Sequence, residues 1–112
     1  MHRPAWTLSL TEQEIATLRE CMLGAANGKY FPNWEFHALI GADREEVRRE
    51  AASWPETADA ETQVMILVNS LGNLLHYPHD RGIREYVKSY PSKKLPRLLE
   101  RVNDLASTSG PQ

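Results

Sequence analysis

Two histidines, His76 and His79, stand three residues apart beside Asp80 in the run His-Tyr-Pro-His-Asp. Imidazole and carboxylate together suit zinc and similar ions. A site needs more than two ligands, and a third would have to come from His37 or from a carboxylate that the sequence does not place. Pro78 also breaks helical register between the two histidines. The simpler expectation puts His76 at a helix C-terminus, where the macrodipole favours it, with His79 exposed in the following turn. Cys21 is the single cysteine and lies among Leu18, Met22 and Ala25 at helical spacing. A reactive thiol wants a positive or histidine-rich setting, so a buried structural thiol is expected. No Ser-His-Asp order, glycine-rich phosphate loop, paired-cysteine box or helical His-Glu-x-x-His occurs. The reading is therefore of a protein with no cofactor and no assigned catalytic residue.

Three arginines, Arg44, Arg48 and Arg49, follow a tight Gly41-Ala42-Asp43 turn. Gly41 suits the left-handed position that closes a helix. Asp43 and Glu46 have the spacing of a capping box, with Ala42 and Val47 as its hydrophobic staple. The stretch Phe36–Trp54 resembles the DNA-reading helix-turn-helix corner of bacterial regulators, which implies that Arg44, Arg48 and Arg49 meet phosphates or base edges. The resemblance covers fewer than 20 of 112 residues. His37 stands where that motif takes a small residue, Glu50 where it takes an apolar one, and Glu45, Glu46 and Glu50 oppose a phosphate backbone. An ordinary helical corner that buries Phe36 and Trp54 is ranked ahead of it, and DNA binding is the alternative.

Asn69 and Asn73 sit one turn apart in the most apolar segment of the chain. At 100° per residue they share a side with Met65, Ile66 and His76, opposite the stripe of Val64, Leu67, Val68, Leu71, Leu74 and Leu75. Buried amides must be hydrogen-bonded, so they either cap a neighbouring element or meet a partner. With Trp34, from the aromatic run Tyr30, Phe31, Trp34 and Phe36, these five residues make the candidate partner-binding set. A basic run, Arg81, Arg84, Lys88, Lys93, Lys94, Arg97 and Arg101, reads first as a solvated helical face.

The elements that must position these groups are helical. Thr11 and Glu14 form a second capping box, and Ile15, Leu18, Met22 and Ala25/Ala26 recur behind it. Asn27-Gly28 ends that helix. Further helices are expected at about 33–40, 44–54, 60–75, 80–90, and from Pro96 onward. No stretch alternates with period two. The fold expected is all-α, a compact single-domain bundle of about six short helices spanning 1–106. It includes the helix-turn-helix-like corner (about 34–54) and a central apolar helix (about 60–75), with 107–112 as a flexible tail.

Net charge is −2, which gives no overall drive toward nucleic acid. Residues 1–75 carry 6 Lys/Arg against 11 Asp/Glu, and residues 76–112 carry 7 against 4. That polarity favours a charged macromolecular partner. No run approaches the ~18 apolar residues of a membrane span, no signal peptide is evident, and a cytoplasmic location is expected. The function expected is non-catalytic: binding of another protein or of a second copy.

Overall fold

A computed structural model of the chain describes residues 1–28, 31–76, 87–88 and 90–108. Five α-helices follow one another: α1 Glu12–Asn27, α2 Asn33–Ile40, α3 Arg44–Ser53, α4 Ala60–His76 and α5 Leu95–Thr108. A 3-10 turn, Ala5–Ser9, precedes α1, and another, Ser92–Lys94, leads into α5. Among the described residues there is no strand, only a bridge in which His2 and Thr57 exchange backbone hydrogen bonds of 3.0 and 2.8 Å. The fold is all-α.

Local chemistry explains the starts and stops. Both capping boxes form: Thr11 Oγ1 accepts from Glu14 N at 3.0 Å, and Asp43 Oδ1 accepts from Glu46 N at 2.9 Å. The glutamates reach back to the cap N–H groups at 2.8 and 3.2 Å. Asp59 caps α4, accepting from Glu61 N, Thr62 N and Thr62 Oγ1. Those bonds, chiefly from Thr62, hold its carboxyl below the ordinary value. Gly41 closes α2 at φ 88°, whereas Gly28 ends α1 in extended backbone at φ −74°.

α4 is the central helix, packed against α1, α2 and α5. It buries Ile66, Leu67, Leu71 and Leu74, with Gln63 and Ser70 also enclosed. α1 contributes Leu18, Cys21, Met22 and Ala25, and α5 contributes Leu95, Leu98 and Val102. Trp54 fills the space between α1 and the N-terminal segment, donating its indole N–H to Ile15 O at 2.8 Å and packing at 6.1 Å from the Trp6 ring.

Two expectations change. α5 runs through Thr108, so Ser107 and Thr108 belong to a helix rather than to a tail. Of the helix expected at 80–90, most lies outside the described residues; Val87, Lys88 and Tyr90 are described and are not helical.

Candidate functional site

An isolated helix of eight residues is not stable in water, so α2 exists because its surroundings hold it. One side is anchored: Phe36 and Ile40 are buried, and Leu39 is half-buried. The other side is free. Trp34, His37, Ala38 and Gly41 fall at i, i+3, i+4 and i+7, and all four are exposed. Trp34 is 82 % exposed, against 4 % for Trp6 and 1 % for Trp54.

The anchoring is polar as well as apolar. Asn69 Nδ2 donates to Ile40 O at 2.9 Å, and Asn73 Nδ2 donates to Leu39 O at 3.0 Å and to Asn69 O at 2.8 Å. The two amides of α4 thus satisfy carbonyls that the end of α2 leaves unpaired. At Gly41 an added Cβ would lie 2.8 Å from Met65 Sδ. Met65 therefore packs beneath the turn, and the second side of α4 is covered by α2.

This geometry separates the expected partner-binding set. Trp34 and His76 are exposed; Met65, Asn69 and Asn73 are half-buried under α2. Ile66 is a correction: it is 0 % exposed in the core, because α4 is enclosed on more sides than one stripe allows.

The arginines are placed differently from what a DNA-reading helix needs. Arg44 donates Nε to Asn33 Oδ1 at 3.1 Å, Nη1 to Ala26 O at 2.9 Å and Ala25 O at 3.4 Å, and Nη2 to Phe31 O at 2.8 Å. Its guanidinium also lies 4.3 Å from the Phe36 ring centroid, a cation–π contact. Burial first, and then the neighbouring Arg48, press its pKa below the ordinary value. Arg48 donates Nε to Asn27 Oδ1 at 2.7 Å and Nη2 to Ala26 O at 3.3 Å, and pairs with Glu45 at 2.5 Å. Both side chains cap the C-terminal end of α1. In return Arg19 of α1 donates to Ala51 O at 3.1 Å and to Trp54 O, capping α3. The two helices cap each other. Arg49 is exposed.

Sequence reasoning missed this reciprocity. The arginines are visible in the sequence, but their role rests on the antiparallel pairing of α1 with α3, whose carbonyls lie 18 or more residues away.

The other candidate residues are separated in space or lie outside the described residues. His76 is exposed at the end of α4; Tyr77 to Asp80, including His79, lie outside the described residues. Among the described residues no three His, Cys, Asp or Glu side chains gather as a metal site. Cys21 is fully buried, and burial, with a smaller contribution from Glu20, pushes its thiol up to about 12. Of the basic run, Arg81 and Arg84 lie outside the described residues, Lys88, Lys93, Lys94 and Arg97 are exposed, and Arg101 pairs with Glu14 at 3.2 Å. No described helix is long and apolar enough to cross a membrane.

The chain matches no protein-family model, no curated protein and no solved structure.

Proposed function

We propose that this protein is non-catalytic and acts by binding another protein, or a second copy of itself, through the outer side of α2. The observation that carries this reading is Trp34, 82 % exposed on a helix that is pinned on its opposite side. Tryptophan is the residue most enriched at the energetic centres of interfaces. Its indole offers a large apolar surface with one donor. The flanking Ala38 and Gly41 are small, so a partner can approach the helix closely, and His37 supplies a polar rim. Pre-organisation by Asn69, Asn73 and Arg44 lowers the ordering cost of binding.

A DNA-reading role for Arg44, Arg48 and Arg49 is supported less well. The first two are committed to the protein's own carbonyls, which leaves only Arg49 of the three exposed.

The test is a photo-crosslinking residue placed at position 34 in the cell, with position 8 as control, since Leu8 is also exposed, at 67 %. The expected result is one discrete adduct from position 34 and none of that mass from position 8. Identical adduct patterns from the two positions would refute the reading.

A further inference from the structure

Where the end of α1 meets the starts of α2 and α3 lies a recess of about 410 Å³, with Asn27, Asn33, Arg44 and Arg48 as its polar walls. None of the residues lining it carries a carboxylate. Asn27 and Asn33 are exposed and both arginines half-buried, so solvent reaches all four. Trp34 is not part of the recess, and the inference does not rest on the α2 reading.

What these side chains still offer is donors. Asn27 Oδ1 accepts from Arg48 Nε at 2.7 Å, and Asn33 Oδ1 accepts from Arg44 Nε at 3.1 Å. Each amide is thereby held with its oxygen on an arginine, and its Nδ2 meets no acceptor among the described residues. Arg44 meets four acceptors and Arg48 three, fewer than the N–H groups of a guanidinium. Both keep a donor to spare. After burial, Arg48 presses Arg44 below its ordinary value, a repulsion that an anion beside the pair relieves.

The spare donors also choose between anions. A carboxylate is held best by two parallel N–H groups of one guanidinium. Here asparagine oxygens take both Nε groups, and the donors left are spread over four side chains. That arrangement suits an anion with three acceptor oxygens on one centre, as in a phosphate monoester.

We propose that this recess binds a phosphate group, carried by a small molecule as a monoester or free in solution. Arg44 and Arg48 neutralise it with the N–H groups they do not use on helix ends, while Asn27 and Asn33 donate from Nδ2. The capping of α1 stays in place, because none of the hydrogen bonds named here has to break.

Inorganic phosphate, phenyl phosphate and acetate, each titrated into ¹⁵N-labelled full-length protein, test this. The pH is about 7, where a phosphate monoester carries about −1.5 to −2 charges, and sodium chloride holds the ionic strength constant. The Nδ2 resonances of Asn27 and Asn33 are read against those of Asn69 and Asn73, which are engaged under α2. The expected result is a saturable shift of the first pair with a phosphate probe, with the second pair nearly still and acetate without effect. Tighter binding of phenyl phosphate assigns the site to a monoester, and tighter binding of inorganic phosphate assigns it to the free ion. Asn33→Asp keeps an acceptor for Arg44 and suits the first turn of α2, but it sets a carboxylate against the anion. Read at Asn27, affinity should fall by about tenfold or more, the scale of one hydrogen bond to a charged group. Asn27→Asp, read at Asn33, should do the same. The proposal is overturned if neither phosphate probe gives a saturable shift, if acetate binds as tightly, or if both variants bind like the parent.

Discussion

Arg44 serves as a joint between three segments of backbone. Its guanidinium donates to the carbonyls of Ala25 and Ala26 at the end of α1, and to Phe31 and Asn33 at the entry to α2. Only a planar fork reaches all of these at once. Arg44→Ala is expected to cost about 2–3 kcal/mol, since one hydrogen bond to a charged group contributes about 1.5–3 kcal/mol and the site is partly wet. Arg44→Lys should recover less than half of that loss, because an ammonium on a flexible stem cannot span the fork; urea unfolding of the three proteins checks both values. Cys21 gives a residue-scale prediction about pH. Its folded-state value of about 12 lies above the ordinary thiol value of 9.0, so the folded chain keeps its proton where the unfolded chain loses it. The thiol's contribution is therefore fully present below pH 9 and is lost as pH rises from 9 toward 12. Measured against Cys21→Ser, the parent should lose stability more steeply across that window, and its thiol should stay silent to a disulfide reagent until the protein unfolds.

At the scale of elements, α2 depends on α4. Replacing Asn69 and Asn73 together with leucine leaves the Leu39 and Ile40 carbonyls without their donors, at about 1–3 kcal/mol for each group stranded from water. Hydrogen exchange should then speed up in α2 before it does in α1, because the last turn of α2 is released first. Gly41→Ala meets two obstacles at once, the left-handed backbone at φ 88° and Met65 Sδ at 2.8 Å. A loss of about 1–2 kcal/mol from the backbone alone is expected, and a thermal melt reads it. Much of this element scale was legible in advance. The boxes Thr11/Glu14 and Asp43/Glu46, the Gly41 stop and the central place of α4 all follow from short-range patterns, and the structure has them. The reading failed where partners are distant in sequence. Ile66 was placed in the partner-binding set but is buried in the core, and no periodicity within one helix reports what its neighbours cover. The mutual capping of α1 and α3 was missed for a like reason, since the helix-end carbonyls that Arg19, Arg44 and Arg48 cap lie 18 or more residues away in the chain.

On the scale of the whole molecule, interior and exterior divide the three tryptophans. Trp6 and Trp54 are 6.1 Å apart within the core, and Trp34 stands outside it. Losing an exposed side chain changes stability by less than about 0.5 kcal/mol, whereas losing an interface anchor costs about 2 kcal/mol or more of binding. Trp34→Ala therefore separates the two roles in one variant. The decisive measurement is the affinity of parent and Trp34→Ala protein for the partner captured at position 34, or for a second copy if that is the adduct, with melting temperatures taken on the same samples. The expected result is an affinity reduced by about 30-fold or more at an unchanged melting temperature. An unchanged affinity would contradict it, and the outer side of α2 would then be no binding surface.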